Sequence, residues 1–144
     1  MKTMHKMALV AIGAVTAGLL GTAPATAHHS TAAFDSERVV KIEGTITQFR
    51  WINPHASIKI DGVAEGDYKD GVWTVEMTAP NVLINQGWKR NSLQPGDKVT
   101  MFVNPLRKPI VLNDGSQGSL YVGVILADGS TLGRTDGKGA GTNE

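Results

Sequence analysis

The feature that most constrains this chain is a strict two-residue alternation that recurs in short, separated segments. From Val40 the even positions carry Val40, Ile42, Gly44 and Ile46, while Lys41, Glu43, Thr45 and Thr47 occupy the odd ones. Side chains alternate between the faces of a strand, so this pattern reads as a strand with one face buried. The same rhythm returns at Ala56, Ile58 and Ile60, then at Trp73, Val75 and Met77. It returns again at Val99, Met101 and Val103, and finally at Leu120, Val122, Val124 and Leu126. Each segment ends at a breaker: Asn53-Pro54, the Gly- and Asp-containing stretch 61–71, Leu93-Gln94-Pro95-Gly96-Asp97, a loop with Pro105, Pro109, Gly115 and Gly118, and Asp128-Gly129. Gly44 lies inside an apolar stripe, which predicts a bulge or a tight bend there.

One segment departs from the alternation. In Ala79-Pro80-Asn81-Val82-Leu83-Ile84-Asn85-Gln86-Gly87-Trp88, proline suits a first helical turn and Gly87 a left-handed C-terminal cap. A two-turn helix is expected, with Trp88 folded back on Leu83. The order strand, strand, strand, short helix, strand, strand predicts an all-β domain of OB-fold type, a small five-stranded barrel with its helix between strands three and four. A small β-sandwich is the alternative, though it usually needs about seven strands. Residues 38–132 are assigned to the barrel, 28–37 to an irregular N-terminal arm and 133–144 to a Gly-rich disordered tail.

Residues 1–27 have the makings of an export signal. Lys2 and Lys6 form a basic start, residues 7–20 are apolar apart from Gly and Thr, and Ala25-Thr26-Ala27 offers a small-residue cleavage site. Cleavage after Ala25 is the alternative, since Ala23-Pro24-Ala25 is also small-x-small. The apolar run is shorter than the roughly 20 residues of a membrane span. The expected product is a periplasmic or secreted protein with no membrane insertion. Removing 27 of the 144 residues leaves 117, enough for one small core. It also leaves 12 of the 14 basic residues against 13 acidic ones, a net charge of −1. A near-neutral protein lacks the electrostatic footprint of a nucleic-acid binder. The absence of cysteine excludes disulfides, thiolate metal sites and lipoprotein anchoring.

Several pieces together resemble one family. His28-His29-Ser30, Ala33-Phe34-Asp35, Gly44-Thr45-Ile46, Trp51-Ile52-Asn53-Pro54-His55 and Leu93-Gln94-Pro95-Gly96-Asp97-Lys98-Val99 are similar to exported bacterial proteins known only as a domain of unknown function. The tryptophan followed by Asn-Pro-His is the most specific element. The resemblance implies a periplasmic single-domain protein and brings no activity or catalytic residues with it.

Two histidine sites are candidates for chemistry. Cleavage after Ala27 would free an α-amine on His28, and amine with imidazole can chelate a divalent ion, copper above all. His29 is adjacent. The competing reading of this pair is a solvated arm. Cleavage after Ala25 would instead place His28 third, a position that binds Cu(II) in a square plane with backbone nitrogens. His55 is the second site. Strand parity sets His55, Ser57 and Lys59 opposite the core stripe, with Thr74 and Glu76 opposite that of the third strand. Antiparallel pairing would then place His55, Ser57 and Glu76 on one outer face, with Glu76 able to orient a ligating His55. The alternative is a structural hydrogen bond at the Asn53-Pro54 corner. Asp35 and Glu37 are expected to be solvated.

Trp73 and Trp88 read as packing residues, whereas Trp51 and Asn53 are candidates for a ligand groove. Tyr121, Ile125 and Phe102 fall opposite their apolar stripes. They mark either an exposed binding face or a second layer on a barrel covered on both sides. No cysteine nucleophile, nucleophile elbow or phosphate loop is present. The sequence therefore points to a binding module for a metal ion, a small molecule or a protein partner. A copper-dependent redox enzyme or copper carrier, and a structural accessory domain without ligand, are the alternatives.

Overall fold

The computed structural model describes residues 31–139. It contains the expected strands as β1 (Val40–Arg50), β2 (Ser57–Ala64), β3 (Gly71–Glu76), β4 (Lys98–Pro105) and β5 (Gln117–Ile125), with helix α1 (Pro80–Asn85) between β3 and β4. The sheet order is β3-β2-β1-β4-β5, all neighbours antiparallel, and a parallel pairing of β3 with β5 closes it into a five-stranded barrel. This is the OB-like topology that the element order predicts. A short strand, β6 (Thr131–Gly133), extends the sheet beyond β5.

The core follows from the alternation. Ile42, Ile46, Ile58, Ile60, Val75 and Met101 are almost wholly buried, each one drawn from a predicted stripe. Pro80 opens α1 and Gly87, at φ +90°, ends it. The amide of Trp88 then donates to the Leu83 carbonyl at 3.0 Å, closing the capping motif that the sequence signals. Leu83 and Trp88 are both buried, so α1 plugs the barrel end at which β1 and β3 finish. Trp88 packs there against Phe49, with centroids 5.8 Å apart, and edge-on to Tyr121 at 5.3 Å.

Three details differ from the expectation. Gly44 is not the bulge; it faces Gly62 across the β1–β2 pair, and a Cβ on either residue would run into the opposite backbone. The register slips between Ile46 and Gln48 instead, leaving Thr47 as the extra residue. On β5 the stripe through Leu120 and Val122 does not hold. Phe102 pairs with Gly123 and Val103 with Tyr121, so Val122 is bulged and the inward phase shifts by one residue. Ser119 and Val124 are therefore buried, and Tyr121 packs against the core, while Leu120 and Val122 are only half-buried. Finally, residues 133–139 are not a free tail. Gly133 ends β6, Arg134 donates its amide to the Val122 carbonyl at 3.0 Å, and Gly139 packs against the backbone of Glu37.

Tyr121 illustrates what burial does to a polar group. Its hydroxyl donates to the Leu132 carbonyl at 2.7 Å. Burial pushes its pKa far above the ordinary 10.0, opposed by the Trp88 indole N–H, which makes no hydrogen bond of normal geometry. A raised folded-state pKa means that this stabilisation is whole below about pH 10 and drains away as pH climbs beyond it. We expect Tyr121→Phe to flatten the alkaline limb of a stability-versus-pH profile, measured by denaturant unfolding. Replacing Val75 by Ala should cost roughly 2–5 kcal/mol, and Glu76→Ala much less, in the same assay.

Candidate binding cavity

The barrel end opposite α1 is built differently. Here β1 begins, β2 and β4 finish, and β3 and β5 begin, so the N-terminal arm and two loops converge. The arm makes a single 3-10 turn at Thr31–Ala33, after which Phe34 bridges to Leu106. The Asp35 amide donates to the Pro105 carbonyl at 2.8 Å, and the Arg107 amide to that of Ala33 at 2.9 Å. The arm is thus stitched to the end of β4.

The β2–β3 loop is held by two acceptors, one of them Asp70 Oδ1, which takes the Ala64 amide at 3.0 Å. The Lys69 carbonyl takes hydrogen bonds from Trp73 Nε1 at 3.2 Å and Gln117 Nε2 at 2.8 Å. This sets the Tyr68 ring edge-on to Trp73, with centroids 6.1 Å apart. The β4–β5 loop folds back over the outer face of β3. Thr74 Oγ1 and Ser116 Oγ share a hydrogen bond at 2.7 Å, and Lys59 Nζ meets Asp114 Oδ2 at 2.6 Å. Lys59, then the hydroxyl and amide of Ser116, hold the Asp114 carboxyl well below the usual carboxylate range.

Between these three segments lies a cavity of about 540 Å³, within the size range of small-molecule sites. Tyr68 and Trp73 form an aromatic wall, and Leu106, Ile110 and Val111 an aliphatic one. Ile110 and Val111 are 56% and 66% exposed, unusual for aliphatic residues in a loop. Asp35 lies at the arm side between two guanidiniums, with Arg38 Nε 3.5 Å from one oxygen and Arg107 Nη1 3.6 Å from the other. The sequence predicts a solvated Asp35; instead it is paired, and its side chain is only 18% exposed. Arg107 Nε also donates to the Ala32 carbonyl at 3.2 Å. The Tyr68 phenol, and secondarily Asp35, raise the pKa of Arg38, which stays cationic throughout the working pH range.

The histidine and groove candidates that the structure describes lie elsewhere. His28 and His29 fall outside the described residues. His55 sits in the β1–β2 loop at the α1 end of the barrel, its Nδ1 3.2 Å from the Met77 carbonyl. Ser57 does face Glu76 across β2 and β3, as strand parity predicts. The arm, however, enters at the other end, beside Arg107, so the layout separates its entry from His55. Trp51 is half-buried, edge-on to Phe49 at 5.7 Å, and Asn53 is exposed in the cis Asn53-Pro54 corner. Neither lines the cavity. Among the described residues there is no group of three or more His, Asp or Glu side chains arranged to hold a metal ion, and no helix long and apolar enough to cross a membrane. The cavity residues had one legible signal: Ile110-Val111-Leu112 is an apolar run in a segment otherwise marked as loop by Pro109 and Gly115.

The fold and this cavity define a small closed barrel with a semi-enclosed pocket at one end. Residues 17–113 match the model of a family of unknown function, DUF6152, and the chain belongs to that family. No curated protein and no solved structure matches it.

The latch of the β4–β5 loop can be tested directly. Because the Asp114 pKa is depressed, its contribution is present above about pH 4 and is lost only as pH falls further, through the folded-state value. We expect Asp114→Asn to speed hydrogen exchange at the Leu112 and Ser116 amides at neutral pH while barely changing the global unfolding midpoint.

Proposed function

We propose that this protein is an exported binding module that takes a small molecule into the cavity between the arm and the β2–β3 and β4–β5 loops. The observation that carries the reading is the convergence, on one cavity of about 540 Å³, of an aromatic wall, an aliphatic wall and fixed charged groups. Small-molecule sites combine apolar walls with a few oriented polar groups in this way. No catalytic step is assigned. The basic, apolar and small-residue order of residues 1–27 supports action outside the cytoplasm.

Two measurements test this reading. Intact-mass analysis of the exported protein should show a chain starting at His28, with Thr26 as second choice; a chain retaining Met1 would remove the export half of the proposal. A fragment library screened by protein-observed NMR should yield binders that shift Tyr68 and Trp73 resonances and are lost in Ile110→Asp. Val63→Asp serves as the control, since Val63 is exposed on β2 outside the cavity. Binders indifferent to Ile110→Asp would place the ligand site elsewhere and overturn the proposal.

A further inference from the structure

We infer that the cavity recognises a small organic carboxylate with a flat or aliphatic apolar body, its head held by Arg38 and Arg107. This deepens the binding reading above and rests on it. Three observations converge on the class of ligand.

The first is charge. The lining carries Arg38, Lys69 and Arg107 against Asp35 and Asp67, three cations to two carboxylates. The excess is small, which suits one anionic head and not a polyanion. The second is the placement of that charge. Arg38 and Arg107 touch opposite oxygens of Asp35, yet their side chains are 72% and 52% exposed while Asp35 is 18% exposed. The carboxylate sits behind and the guanidiniums face outward. Their distances to Asp35 of 3.5 and 3.6 Å exceed the roughly 2.7–2.9 Å of a tight charge-assisted hydrogen bond. Each guanidinium carries five N–H donors in a rigid fork that matches a carboxylate. Asp35 therefore orients the pair without using up its donors.

The third observation is the body of the cavity. Trp73 is fixed by its bond to the Lys69 carbonyl, and Tyr68 stands edge-on to it. Leu106, Ile110 and Val111 line the same cavity. A flat ring or short alkyl chain fits against such walls, burying apolar surface while its head reaches the arginines. An inorganic anion would leave those walls wet, and a neutral apolar compound would leave the arginines unused.

The experiment compares 2-naphthoate and octanoate with their uncharged amides and with inorganic phosphate, using isothermal titration of the folded protein. The carboxylates should bind, with the amides weaker by about tenfold or more and phosphate weaker still. Arg107→Gln and Arg38→Gln should each weaken carboxylate binding far more than amide binding and so remove most of the preference for carboxylate, with the circular dichroism spectrum unchanged. Arg107→Lys should restore only part of it, because a point charge lacks the fork. Equal binding of acid and amide, both abolished by Ile110→Asp, would overturn the carboxylate inference and leave the binding module standing. Binding of carboxylates that persists in Ile110→Asp and in both arginine variants would overturn both.

Discussion

The parallel pairing of β3 with β5 is the constraint on which the rest of the structure depends. The antiparallel neighbours could form an open, twisted sheet, but its two edge strands would then expose unpaired backbone groups. Closure solves this by using β5 twice. Its first half, Gln117 to Leu120, pairs with Trp73 to Glu76 of β3, and its second half, Gly123 to Ile125, pairs with β6. The change of partner falls at the bulged Val122, where the inward phase also changes. Pro105, at the end of β4, already pairs with Ser119 near the start of β5, so the β4–β5 loop that crosses the outer face of β3 is an excursion and not a span that closure requires. The bonds of Ser116 to Thr74 and Asp114 to Lys59 secure that crossing. The cavity lies beneath this excursion, at the end where β3 and β5 begin.

The two barrel ends are sealed by different physics. At one end α1 lays Leu83 and Trp88 into the core, and apolar side chains fill the space. A plug of that kind is dense and opening it is costly. At the other end the segments are held by a few hydrogen bonds, through Lys69 and Asp70 for the β2–β3 loop and through Pro105, Ala33 and Ala32 for the arm. Such staples fix backbone position without demanding that side chains fill the interior. Tryptophan appears at both ends, with Trp88 buried in the plug and Trp73 lying between core and cavity. On the proposed reading, the end held by staples is the one through which the ligand enters.

The barrel was legible in the sequence because each strand segment carried its own alternation and its own breaker. The helix was legible because Pro80 and Gly87 bracket it. Alternation failed at Val122, since a bulge leaves no mark in a run such as Leu120-Tyr121-Val122-Gly123-Val124 where both phases are apolar. Gly44 was read correctly as special but for the wrong reason: what matters is its partner Gly62, and a one-strand pattern cannot show a partner. The cavity was nearly invisible for the same reason. Arg38, Tyr68 and Arg107 come from three separate segments, each unremarkable alone, and only the barrel's closure brings them together. His55 and Trp51, by contrast, drew attention through local motif, and local motif says nothing about which end of a barrel a loop occupies.

The position of Asp35 shows how the arm is coupled to the cavity. Its amide is fixed on the Pro105 carbonyl, so its carboxylate cannot drift, and Glu37 adds an amide donor to Oδ1 at 3.3 Å. Two long, exposed arginines would otherwise sample many rotamers, and holding each for a ligand would cost about 1–2 kcal/mol in lost side-chain entropy. Anchored by Asp35, and in the case of Arg107 also by the Ala32 carbonyl, they are oriented before any ligand arrives. The ion pairs themselves add little stability, because pairs with such exposed partners are largely screened. Their value lies in position: a weak carboxylate contact keeps the guanidiniums aimed while leaving them hungry for a stronger one. The arm is therefore a structural part of the cavity, and an arm that failed to dock on β4 would leave Arg38 and Arg107 without the group that orients them.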